Sequence, residues 1–159
     1  MKLTAHLPPT TLRVERHTDP QVNAAIVART NAEIARHEGL GAEELNQRLR
    51  EMDQEWDVER VLQTNASTLA LVGLALGASV NRRFLLLPTA VFAFLTQHAL
   101  QGWCPPIPVI RRLGVRTMRE IERERYALKA LRGDFDNVPR LGEGAPMERV
   151  MAALAAVDA

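Results

Sequence analysis

A chain of 159 residues with a formal net charge of +1 is long enough for one folded domain, and its charge balance gives no bulk attraction to nucleic acid. Four Phe, two Trp and one Tyr are too few for the stacking platforms of single-strand binders. The one cysteine, Cys104, excludes an intramolecular disulfide and any zinc site built from several cysteines.

The first twenty residues contain no apolar core of a signal peptide, so none is expected to be removed. Residues 1–18, with Pro8-Pro9 and scattered charge, read as an irregular lead-in. Asp19-Pro20 is a helix start, since Asp accepts from free N–H groups and Pro suits the first helical position. The Ala-rich segment that follows should close at Gly39 or Gly41, where glycine tolerates a left-handed cap. A second helix begins near Ala42, with Glu43 and Glu44 favoured by the helix dipole at its first turn. Leu45, Leu49, Met52 and Trp56 form a one-sided stripe. Nothing between Trp56 and Leu62 obviously breaks it, so this helix is expected to continue into the next segment. Residues 19–60 thus form acidic amphipathic helices.

Residues 61–110 carry no charge apart from Arg82 and Arg83, although a quarter of the chain is charged. The runs 61–80 and 84–103 each hold 20 residues, ~30 Å as helix, which matches the hydrocarbon core of a bilayer. Pro88 falls early in the second run, where a lost intrahelical bond costs little. The predicted fold class is all-α, a two-helix transmembrane hairpin with flanking amphipathic cytoplasmic helices. A soluble bundle with two very apolar core helices is the competing architecture, supported by Gln63, Asn65, Ser67, Thr68, Gln97, His98 and Gln101. Nine Arg residues lie within about 15 residues of the hairpin's outer ends against two in the turn, which puts both termini in the cytoplasm of a bacterial inner membrane.

Pro105, Pro106 and Pro108 stop the second span. A basic juxtamembrane helix is expected over 111–133, starting near Val109 or Val115, and a loop and short Ala-rich helix over 134–159. From Asp19 to Arg60 there are five basic and ten acidic residues, and from Arg111 to Arg132 eight basic and three acidic. Arg111, Arg112, Arg116, Arg119 and Arg123 are therefore candidates to meet either the acidic helices or anionic lipid headgroups.

Ala66, Ala70, Gly73 and Gly77 make a small-residue face for close helix packing, against the second span, a second copy or another membrane protein. His98 and its neighbour Gln97 are candidates for an intramembrane polar contact to another helix. Cys104 is a candidate thiol site, since a following helix N-terminus and Arg111 or Arg112 would favour thiolate. His6, His17 and His37 lie outside the spans, so one copy offers no histidine pair for a metal or haem between them. No paired carboxylates, Ser/His/Asp set or phosphate-cradling glycine loop appears, so no catalysis, cofactor or metal is expected.

Gly102-Trp103-Cys104-Pro105, closing a second apolar helix and followed by Leu113-Gly114, resembles the YgaP-like family. Its members are two-helix inner-membrane domains of unknown function, found alone or fused to rhodanese-type sulfurtransferase domains. Asn65, Gly73 and Gly77 match its first span. The resemblance covers about a third of the chain and implies the hairpin topology without an activity. The chain departs from the pattern in lacking basic residues just after Asn65, in its Pro-Pro-Ile-Pro exit and in its long helical extensions, and no rhodanese domain is present. The functional expectation is a scaffold or accessory subunit of a membrane complex that works by binding membrane proteins or itself, with no nucleic acid partner. The alternatives are a thiol- or sulfur-handling protein centred on Cys104 and a soluble all-helical interaction protein.

Overall fold

The computed structural model describes residues 7–159, and every regular element among them is helical. In chain order these are α1 (Arg13–Arg16), α2 (Pro20–His37), α3 (Ala42–Asp53), α4 (Val58–Ser79), a 3₁₀ turn (Arg82–Leu85), α5 (Leu86–Gln101), α6 (Ile107–Arg112), α7 (Met118–Arg132) and α8 (Pro146–Asp158). They fall into two compact units. One takes the residues up to Ala28 with Trp56–Ile121, and the other takes Arg29–Glu55 with Glu122–Ala159.

The first unit is built on the hairpin. The expected continuous helix through Trp56 is broken, because Asp57 takes an extended conformation and caps α4 by accepting from Arg60 N–H at 2.8 Å. A carboxylate that satisfies a free helix donor competes with continuation of the preceding helix. At the far end Asn81 is extended, its side chain accepts from Arg83 N–H at 2.9 Å, and the 3₁₀ turn leads into α5. Ala66, Ala70, Gly73 and Gly77 are all buried along α4. A Cβ on Gly73 would stand 2.6 Å from Pro88 Cδ, and one on Gly77 2.5 Å from Leu85 Cδ2. The small-residue face is thus occupied by the hairpin's own returning arm.

Beyond the base, large side chains of both arms point outward. Leu69, Leu71, Val72, Leu74, Leu86, Phe92 and Leu100 are exposed. Two helical stretches, one ending at Ser79 and the other Arg82–Gln101, are long and apolar enough to cross a membrane.

The base of this unit is packed differently. Val14, Val58, Leu62, Cys104, Ile107 and Ile110 form its core, so the segment expected to be irregular contributes a short helix and a core side chain. The first six residues of that expected lead-in lie outside the described residues. The single basic helix expected after the prolines is instead two. Gly114, at φ 83°, ends α6 with its N–H donating to Arg111 C=O at 2.8 Å, and α7 begins at Met118. The left-handed conformation is open to glycine at little cost, which makes Leu113-Gly114 a corner.

The second unit joins α3 to the later part of α7 through charge. Arg48 pairs with Glu124 at 2.7 Å and Arg125 with Asp53 at 2.8 Å, while Arg132 donates to Asn46. Leu45, Leu49, Met52 and Leu128 are buried beside fully enclosed Glu124. Lys129, almost fully buried, donates to the Val157 carbonyl in the last turn of α8, where a cation suits the helix dipole.

Candidate functional site

Polar chemistry concentrates at the base of the hairpin. Glu59, in the first turn of α4, is reached from two directions. Arg13 Nη2 of α1 donates to its carboxylate at 2.8 Å, and His98 Nε2 of α5 stands 3.0 and 3.1 Å from its two oxygens. A carboxylate only accepts, so this contact places the imidazole proton on Nε2. His98 is 3% exposed, and its Nδ1 and Arg13 Nε are buried without a partner among the described residues. His98 thus makes a contact between α5 and α4, and Gln97 beside it is half-buried. Replacing His98 with Ala should remove a charge-assisted bond and cost about 1–3 kcal/mol. Thermal denaturation in detergent would read this cost, and an unchanged midpoint would show that Arg13 alone satisfies Glu59.

A second cluster lies on α6 and α7. Arg111 is expected from the sequence at a membrane surface or against the acidic helices. It is instead 1% exposed, and the acid it meets is Glu120, nine residues on. The Gly114 corner turns the first turn of α7 back onto α6 and brings Glu120 to Arg111. All five guanidinium donors are used. Nη1 and Nη2 each donate to a Glu120 oxygen at 2.7 Å, Nη1 also to Val115 C=O at 2.9 Å, Nη2 to Asn23 Oδ1 at 2.9 Å, and Nε to Thr18 Oγ1 at 3.2 Å. Burial would raise the Glu120 pKa, but the Arg111 hydrogen bonds and charge, with the Thr117 N–H at 2.8 Å, outweigh it and hold the carboxyl below the usual range.

The other basic candidates separate. Arg116 is buried too, and its carbonyl accepts from Val58 N–H at 2.9 Å. Arg119 pairs with Glu15 at 2.7 Å, and Arg123 donates to Asn31 at 3.3 Å. Arg112 is exposed on α6. Trp103 stacks edge-on with Phe94 at 6.4 Å, and Arg60 lies 4.9 Å above the ring of half-exposed Trp56. These two tryptophans flank the α4 start and the α5 end.

Cys104 departs from the thiolate expectation. It sits in the apolar base core at 4% exposure, and burial pushes the thiol pKa up. The helix that follows it, α6, begins three residues later and does not offset the loss of water. The thiol of folded protein should therefore stay unlabelled by maleimide at mildly alkaline pH and react fully after denaturation. Rapid native-state labelling would contradict this burial.

Gly102 in the same motif has a steric role. It closes α5 at φ 84°, and a Cβ there would fall 2.4 Å from the Arg13 carbonyl carbon. No group of three or more His, Cys, Asp or Glu side chains among the described residues is placed to hold a metal ion. A groove of about 660 Å³ in the second unit is lined by Arg50, Arg125, Lys129 and Arg132, and each of these cations has a partner.

Sequence reasoning missed Arg13, Glu59, Thr18, Asn23 and Glu120. Glu59 had one signal, an acid just before an otherwise uncharged run. Asn23 and Thr18 lie 88 and 93 residues from Arg111 and had none. Comparison with family models, curated proteins and solved structures yields no match.

Proposed function

We propose that this chain is a small integral protein of a bacterial inner membrane, with α4 and α5 crossing the bilayer and both termini in the cytoplasm. It acts by binding, as a scaffold or accessory subunit of a larger membrane complex, and carries out no catalysis of its own. The observation that carries this reading is the direction of the apolar side chains. Only 28% of the most apolar window in the first stretch is buried and 11% in the second. A core helix of a soluble protein would turn such side chains inward, and lipid is the solvent that suits them facing out.

The base supports the same placement. Trp56 and Trp103 stand where amphipathic rings favour the membrane interface, and exposed Arg112 is free to meet an anionic headgroup. His98 and Arg111, the side chains with the most obvious chemistry, are engaged in holding helices together. The likeness of Gly102-Trp103-Cys104-Pro105 to YgaP-like domains agrees with an anchor of this kind.

Two steps test the proposal. Alkaline carbonate should leave the protein with the membrane pellet, and release into the supernatant would overturn the integral placement. Purification in mild detergent should then recover a membrane protein in fixed stoichiometry with this chain. A monodisperse preparation of this chain alone would overturn the subunit role.

A further inference from the structure

The turn of the hairpin carries a cleft with an apolar body and a cationic rim. It holds about 580 Å³ between the last turns of α4 and the 3₁₀ segment. Leu74, Ala78 and Leu85 line its body, beside Gly77, whose missing Cβ leaves room for Leu85. Leu74 and Leu85 remain 45% and 41% exposed, so the cleft has no apolar filling of its own.

The side chains at the rim are left as donors. Asn81 Oδ1 is taken by Arg83 N–H at 2.9 Å, which leaves Asn81 Nδ2 to donate. Ser79 Oγ is turned away from the mouth by donating to Ala75 C=O at 2.7 Å. Arg82 stands at the mouth and Arg83 follows it, and neither guanidinium has a hydrogen-bond or ion-pair partner among the described residues. The carbonyls that end α4 suit these cations through the helix dipole, yet none of them accepts from either guanidinium. The chain has no Asp or Glu between Arg60 and Arg119, so the hairpin offers them no counterion.

We propose that this cleft holds an anionic phospholipid, with its phosphate on Arg82 and the Asn81 amide and the upper part of one acyl chain along Leu74 and Ala78. The proposal rests on the hairpin crossing a bilayer. Phosphodiester oxygens only accept, which matches a guanidinium and an amide NH₂. A soluble anion would use the rim and leave Leu74 and Leu85 in water, whereas an amphiphile covers both. A second copy of the chain would bring the same two cations and no acid to this end. Two uncompensated cations favour a headgroup of net negative charge over one that carries its own cation.

Photo-cross-linking of the full-length chain in detergent tests the site. Phosphatidylglycerol with a diazirine near the headgroup end of one acyl chain should attach within residues 74–85. R82Q/R83Q should lower that attachment on the order of tenfold. L74W, which fills the cleft and leaves the charge alone, should lower it comparably, and R112Q at the base should not change it. Equal attachment to R82Q/R83Q and the unaltered protein would overturn the site as unselective lipid contact, and so would equal attachment of the matching phosphatidylcholine. Displacement by inorganic phosphate would overturn it in favour of a soluble anion. A protein cross-linked at the turn in native membranes, with no lipid attached there, would overturn it in favour of an acidic protein partner. Any of these results for a chain that carbonate leaves in the membrane pellet counts against this site alone, whereas release by carbonate overturns the membrane reading as well.

Discussion

Replacing Arg111 with Met should destabilise the protein by about 3–5 kcal/mol, the cost of breaking a buried ion pair by removing one partner. Methionine fills much of the volume, so the loss is electrostatic. Glu120 would keep Thr117 and lose the two 2.7 Å bonds that compensate its burial, while Thr18, Asn23 and the Val115 carbonyl each lose a donor. The double variant R111M/E120M should recover the part of the loss due to the unpaired Glu120 charge, while the bonds to Thr18, Asn23, Val115 and Thr117 stay lost. Denaturant unfolding in detergent measures both, and a loss under about 1 kcal/mol for R111M would show that water reaches the cluster.

The same pair sets a pH dependence with a definite sign. The Glu120 carboxyl is held below its ordinary value in the folded chain, so it contributes stability above the unfolded-state pKa. That stability is lost as pH falls through the folded value. In R111M the buried carboxyl lacks its cation, its pKa should rise, and acidification should remove less stability than in the unaltered protein. The difference between the two stability curves isolates Glu120 from the other carboxylates.

Gly102→Ala should cost a similar amount for a different reason. An L-residue at φ 84° pays about 1–3 kcal/mol for the conformation alone. The added methyl would also lie 2.4 to 2.6 Å from three Arg13 atoms, two of them backbone. Backbone cannot rotate away, so α1 must separate from α5, pulling Arg13 from Glu59 and Val14 from the core. The total should reach on the order of 3–5 kcal/mol, in the range reserved for strain and core disruption. Gly39→Ala is the matching control. Its φ is 79° and an added Cβ would meet no atom within 4 Å, so only the conformational part should be lost. Faster proteolysis within residues 7–16 of G102A, absent in G39A, would locate the damage. Equal midpoints for the two variants would contradict the close approach of Arg13.

The hairpin is legible in the sequence because its signals are local. An uncharged run of bilayer length, a polar turn and glycines spaced for close approach all survive reading one residue at a time. The breaks at Asp57 and Gly114 are local too, but hydrophobic stripes run across them in the sequence and outweigh them. Asp57 reads as one more acid in an acidic helix until its side chain is seen on Arg60 N–H. Gly114 reads as part of a short motif, and nothing beside it announces a corner. The base clusters are not legible, because Arg13 meets Glu59 across 46 positions and His98 meets it across 39. Charge counting places Arg111 and Arg116 on a surface, since cations are rarely buried. The burial of Arg111 follows from a corner that lets one acid, Glu120, satisfy it at close range.

Single cysteines at the turn of the hairpin and near the C-terminus test its membrane crossing most directly, since the native Cys104 is buried. In spheroplasts, a membrane-impermeant maleimide should label R82C at the turn immediately and D158C at the end of α8 only once the membrane is opened. Equal labelling of both sites before permeabilisation, or protection of both, would contradict a hairpin that spans the bilayer with its turn outside.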